Sequence, residues 1–265
     1  MPDGPGVAHP MCMRPMRIGL LVLVMYAMAC KTANPGAAPE GLSGSSAGAA
    51  RAAAPTIGER MIDHARHGTA MRDAVARGDL AEGALEAKLL AVGQREVAID
   101  RLWQDQRDAM SAAAMRVAEA RTVPEASAAL GQVARTCGDC HVLVRRSGKR
   151  VESPPTEAPG ARPRMRQHEW AVTEMWRGLV EPSDDAWQAG ARSLSETTLA
   201  PSLLTPGKTP VPKVGELAQY VRGLAGRAAS VHDASGRAEI YGEIVSTCAV
   251  CHAWLGGGPS ASAVP

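Results

Sequence analysis

Gly131-Gln132-Val133-Ala134-Arg135-Thr136-Cys137-Gly138-Asp139-Cys140-His141 is followed 111 residues later by Gly242-Glu243-Ile244-Val245-Ser246-Thr247-Cys248-Ala249-Val250-Cys251-His252. Both stretches end in Thr-Cys-x-x-Cys-His, the attachment signature of a c-type haem. Each cysteine sulfur forms a thioether to one haem vinyl group, and the adjacent histidine supplies the proximal iron ligand. Cys137, Cys140, Cys248 and Cys251 are therefore expected to hold two haem c groups, with His141 and His252 on the irons. A thioredoxin-type pair would call for a βαβ pattern, and a zinc site for a second Cys or His pair close by. Neither pattern accompanies these motifs.

Working outward, placing residue i over i+104 superimposes Met61 on Met165, His64 on His168, Met71 on Met175, Ala87 on Ala191 and Leu90 on Leu194. The haem segments align at an offset of 111, so seven residues separate the two registers. The chain reads as a tandem duplication. Boundaries follow from composition: a first copy over 56–147, a Pro-rich linker over 148–162, a second copy over 163–256 and a tail over 257–265.

Each copy is expected to contain four helices. In the first they run from Thr56 to Arg77, from Leu80 to Val92, from about Arg95 to Thr122, and from Pro124 through Cys137 to Arg146. Gly78-Asp79 is the first stop and cap. In the second they run from Pro163 to Val180, from a Ser183-Asp184 cap to about Leu199, from Lys213 to Val231, and from Asp233 to about Trp254. A Pro/Gly-rich loop spans Pro201 to Pro212. Period-two alternation of β-branched residues is nearly absent, Phe is missing altogether and only three Tyr occur. That composition predicts an all-α protein packed with aliphatic side chains.

Thirteen residues follow His252, none of them Met or His, so the second haem is expected to draw its pocket from upstream sequence. Three helices followed by a terminal helix carrying the Cys-x-x-Cys-His resembles the cytochrome c′ (class II) family of four-helix-bundle cytochromes. The resemblance covers about residues 57–147 and 163–256 and implies two tandem haem-binding four-helix bundles. It also implies that a distal residue comes from the first helix of each bundle. There this chain has Met61-x-x-His64 and Met165-x-x-His168, with Met71 and Met175 seven residues beyond each histidine. Spacings of three and seven share a stripe, so all six side chains are expected to be able to face haem. His64 and His168 are the preferred distal iron ligands, because their register is kept while His67 is replaced by Ala171. A Met ligand and an open distal side remain the alternatives. His67 and His232 are expected on the surface, and the five Trp to pack against helices or the haem edge.

The first thirty residues read as a signal peptide. Arg14 and Arg17 precede an apolar run, Ile18 to Ala29, shorter than the roughly 20 residues that span a bilayer. Ala27-Met28-Ala29-Cys30 is both a small-x-small cleavage signal and similar to a lipoprotein lipobox, which would make Cys30 a lipidation site. Residues 31–55, rich in Ala, Gly, Ser and Pro, would then be a flexible tether. Of six cysteines, four carry haem, Cys30 would carry lipid and Cys12 precedes the cleavage point, which leaves none for a structural disulfide. Removing residues 1–30 lowers Lys plus Arg from 29 to 27 and Asp plus Glu from 27 to 26. A near-neutral mature chain is a poor nucleic-acid binder.

These readings converge on an exported, periplasmic, membrane-anchored dihaem cytochrome that carries electrons between redox protein partners. Its bundles are expected to pair with each other or with a second chain. The alternative is a gas-binding or sensing protein with an open distal site. No paired carboxylate or nucleophile–base arrangement points to an enzyme, and a haem peroxidase would need an open haem beside acid–base groups.

Overall fold

Thr56 and Thr122 each open a helix by the same reciprocal device. Each threonine hydroxyl accepts from the backbone N–H three residues on, and the glutamate there, Glu59 or Glu125, accepts from the threonine N–H. Such capping boxes satisfy N–H groups that a helix start leaves open, each worth about 1 kcal/mol. The computed structural model describes residues 56–93, 101–144, 148, 151–156, 158–204 and 212–258. The segments expected as signal peptide and tether, Cys30 included, lie outside the described residues.

Every regular element among the described residues is a helix: α1 Ile57–Arg77, α2 Leu80–Gly93, α3 Arg101–Glu119, α4 Val123–Leu143, α5 Ala161–Val180, α6 Asp184–Glu196, α7 Pro201–Leu204, α8 Pro212–Ala228 and α9 Ala234–Leu255. The protein is all-α. Gly78 ends α1 at φ 78°, a left-handed cap that suits glycine. Ser183 and Asp233 cap α6 and α9 through Ala186 N–H and Gly236 N–H. Several helix ends differ from expectation: α4 stops at Leu143 rather than Arg146, α6 at Glu196 rather than about Leu199, and α8 at Ala228 rather than Val231. The third helix stops at Glu119 rather than Thr122, because Thr122 is extended, at φ −132°, and is spent as the α4 cap. The expected loop after Pro201 begins instead with the single turn α7.

Helices α1 to α4 lie against one another in chain order, with α1 also touching α4. Helices α5, α6, α8 and α9 repeat that order, with α5 touching α9. The two sets meet where α4 lies on α9, flanked by α1 on α9 and α4 on α5. One continuous apolar core runs through this boundary, from Met71, Leu90, Met110 and Leu130 to Trp187, Leu194, Leu224, Tyr241 and Ile244. Trp187 and Tyr241 are fully buried, and each spends its polar atom on a backbone carbonyl, Ala228 O at 2.9 Å and Val172 O at 3.4 Å.

Four side chains depart from the sequence reading. His67 is not a surface residue: it is half-buried, and its Nδ1 lies 2.7 Å from Glu86 Oε2, tying α1 to α2. Trp254, expected to pack, is 60% exposed beyond the α9 cysteines. Met71 and Met175 are fully buried core residues. Seven residues along a helix is about 10 Å, far enough to move a side chain from one packing layer to another.

Candidate functional site

Within α4, spacings of three and four place Cys137, Cys140 and His141 on one face near the helix end. The Thr136 hydroxyl turns back onto Gln132 O, at 3.0 Å, and Val133 O, at 2.9 Å, so its polar group is satisfied inside the helix. Opposite this face stands α1 with Met61 and His64, and α3 closes the side with Trp103, Gln106, Arg107 and Met110. Together they line a mainly apolar cavity of about 280 Å³. The expected attachment cysteines, proximal histidine and distal histidine of the first copy therefore share one cavity.

The nitrogens in that cavity are distributed in a telling way. His141 Nδ1 lies 2.5 Å from the Val180 carbonyl oxygen, so Nδ1 carries the proton and Nε2 keeps its lone pair. His64 is partly exposed as a residue, but its Nδ1 is sealed from solvent and has no hydrogen-bond partner. Its Nε2 lies 3.7 Å from Cys137 Sγ, a contact that a thioether sulfur, having no S–H, would not hold as a donor. The Gln106 side-chain oxygen is a further sealed, unpartnered atom in the lining. Unsatisfied buried polar atoms are uncommon and call for a partner.

The residues 104 and 111 positions further on are placed on their helices in the same way, with one difference in their hydrogen bonding. On α9, Cys248, Cys251 and buried His252 occupy the same helix face, and Thr247 again turns its hydroxyl back, onto Glu243 O at 2.8 Å. His252 Nδ1 lies 2.8 Å from Ala76 O. His168 is buried, is hydrogen-bonded to the Thr197 backbone, and has its Nε2 sealed without a partner. Thr197 thus anchors the second histidine, whereas His64 has no such anchor on Nδ1.

Burial pushes both candidate distal histidines down to about 4, and a second histidine facing each, His141 for His64 and His252 for His168, opposes charge further. Both are neutral at pH 7 and hold a lone pair. Burial pushes the Cys137 and Cys248 thiols up to about 12, and moves Cys140 and Cys251 in the same direction. A reactive or zinc-binding cysteine works as a thiolate, which these settings disfavour. Among the described residues no three or more His, Cys, Asp or Glu side chains gather as a metal-ligand cluster. A haem asks for something else: two sulfurs one turn apart, an adjacent imidazole and room on the opposite side. The sealed, unpartnered nitrogens of His64 and His168 fit that demand.

Arg60, Gln106, Arg107 and Met110 were missed by the sequence reading, and Trp103 was read only as packing. One of them left a signal, since Arg60 and Arg164 fall in the same 104-residue register as the two histidines. The α3 residues left none, because their register is not repeated. None of the described helices is long and apolar enough to cross a membrane. No family model matches the chain, and neither a curated protein nor a solved structure matches it.

Proposed function

We propose that the chain is an exported dihaem c-type cytochrome, a tandem of two cytochrome c′-like four-helix bundles over 56–147 and 163–256, that carries electrons between redox protein partners. The observation that carries this reading is the meeting of His64 with Cys137, Cys140 and His141 around one apolar cavity, with a sealed imidazole nitrogen left without a partner. Haem iron supplies one-electron exchange between its ferrous and ferric forms. The protein's part is to hold it. Cys137, Cys140, Cys248 and Cys251 anchor the two groups, and His141 and His252 present Nε2 because Nδ1 is committed to a carbonyl. Neutral His64 and His168 offer a second nitrogen from the opposite wall, and the apolar lining excludes water. Two strong ligands leave no position for a substrate, which suits a carrier rather than an enzyme.

A gas-binding role is the second reading, and one observation favours it at the first site. His64 lacks the backbone anchor on Nδ1 that Thr197 gives the His168 ring, so it is the easier ligand to displace. Export, cleavage before Cys30 and attachment to the membrane surface through an acylated Cys30 complete the proposal; they rest on the sequence of residues 1–30.

Production in a periplasm that contains haem-attachment machinery should yield a chain whose mass exceeds that of the polypeptide by two covalently bound haems. The same chain made without that machinery should be colourless and poorly folded. Free thiols or bound zinc at the four motif cysteines would overturn the reading.

A further inference from the structure

The proximal histidine of each copy is hydrogen-bonded through Nδ1 to a backbone carbonyl of the other copy. His141, on α4, meets Val180 O at the end of α5, and His252, on α9, meets Ala76 O near the end of α1. Ala76 and Val180 are 104 residues apart, the register of His64 and His168, and His141 and His252 are 111 apart, the register of the haem motifs. The exchange is therefore reciprocal: two equivalent bonds cross the α4–α9 boundary in opposite directions.

Both acceptors lie in the last turn of a helix, where carbonyls have no intrahelical partner. Around Gly78, the backbone N–H groups of the cap go to Ala74 O and Val75 O, which leaves Ala76 O for His252. After α5, Glu181 N–H goes to Arg177 O and Ser183 N–H to Gly178 O, which leaves Val180 O for His141. The negative end of each helix dipole adds to the pull on the Nδ1 proton. A histidine that donates Nδ1–H to a carbonyl is fixed in one tautomer and is a more basic ligand through Nε2.

We infer that Val180 and Ala76 are positioning residues acting across the duplication, so that each copy sets the orientation and ligand strength of the other copy's proximal histidine and the two haem sites form one coupled unit. This rests on the haem reading above. Each copy takes from the other the carbonyl that holds its proximal histidine, so a disturbance at the end of α5 is felt at the first iron before the second.

The test moves one carbonyl at a time in the full-length holoprotein. Glu181→Pro pushes residue 180 out of the helical region and turns its carbonyl, while Glu181→Gln removes the same charge and leaves the backbone alone. Arg77→Pro and Arg77→Gln do the same for Ala76. The two midpoint potentials are assigned with variants lacking one pair of attachment cysteines, Cys137→Ala/Cys140→Ala or Cys248→Ala/Cys251→Ala. Relative to its Gln reference, Glu181→Pro should raise the potential of the first haem and leave the second unchanged, and Arg77→Pro should do the reverse. A shift confined to the haem of the mutated copy, or equal shifts in the Pro and Gln variants, would overturn the inference with the haem reading intact. Chains that carry no covalent haem would instead sink the haem reading. Should the proline variants not fold, nitrogen-15 spectra of the unsubstituted protein decide: each proximal Nδ1–H should resonate as a hydrogen-bonded, exchange-protected proton, and rapidly exchanging protons would overturn the inference.

Discussion

Gly131 of α4 and Ala238 of α9 approach so closely that a β-carbon on the glycine would stand 2.2 Å from the Ala238 carbonyl oxygen. The contact has a mirror partner. A β-carbon on Gly242 would stand 2.8 Å from Ser127 O, and each of these two pairs maps onto the other at the 111-residue offset of the haem motifs. Helices α4 and α9 are thus pinned together at one repeated glycine, and further along them His141 and His252 reach the ends of α5 and α1.

Gly131→Ala should destabilise the protein in spite of alanine's better helix propensity, because the added methyl must push α9 away. Overpacking of this kind costs roughly 1–3 kcal/mol. Gly223→Ala is the contrasting substitution: nothing lies within 4 Å of its β-carbon position on α8, so it should stabilise by roughly 0.5–1 kcal/mol. Urea unfolding followed by helical circular dichroism reads both. Stabilisation by both substitutions would mean that α4 and α9 do not cross at Gly131.

His64→Ala should convert only the first haem to high-spin and open it to carbon monoxide, and His168→Ala only the second. The unsubstituted reduced protein should be low-spin at both and bind carbon monoxide slowly or not at all. Since Thr197 holds the His168 ring and no bond holds His64 Nδ1, residual binding should appear first at the first haem. Optical spectra of the three proteins decide, and unchanged spectra in both variants would show that neither histidine binds iron.

Acid should act late. Folded His168 titrates near 4, whereas an unfolded histidine titrates near 6.5, so the unfolded chain binds more protons between those values and stability rises with pH across that window. The contribution, roughly 3 kcal/mol, is fully present above about pH 6.5 and is lost as pH falls through about 4. His64 shifts in the same direction for the same reason, burial. On the proposed reading, iron competing for the same nitrogens would move the loss lower still. In a spectral titration the low-spin bands should persist to about pH 5 and give way near or below pH 4; a transition near 6.5 would place both histidines in water.

Cys30→Ser should release the protein from the membrane fraction or block its processing, and mass spectrometry of the unsubstituted membrane-fraction protein should find acyl chains on Cys30. A mature N-terminus downstream of Cys30 would rule out lipidation.

The helical class was legible in the sequence because its signals are local. Capping residues, stop residues and the excess of Ala, Leu, Met, Glu and Arg act over one or two turns, and the helix ends fall within a few residues of where those signals stand. The misplaced end of α3 shows the limit of local reading: Thr122 suits either the last residue of one helix or the cap of the next, and only the turn between Glu119 and Val123 decides. His64 and His168 stood out as candidates because the 104-residue register repeats them, and the cavity around His64 puts that histidine beside the expected cysteines.

Met71 and Met175 carry the same repeated register and yet lie in the core, because a shared stripe says nothing about which neighbour a residue meets two turns along. The residues that meet His141 and His252 were invisible for a more basic reason. Val180 and Ala76 act through backbone carbonyls, which every residue has, so no side chain marks them. Gly131 and Gly242 stand in the sequence as a repeated glycine whose purpose is unreadable there. The absence of a β-carbon becomes meaningful only when another helix's backbone arrives where it would have been. Residue chemistry and repetition by themselves determined the helices, the attachment motifs and the candidate ligands. The tertiary structure alone decided which carbonyl meets which histidine, because that depends on how closely two helices distant in sequence can cross.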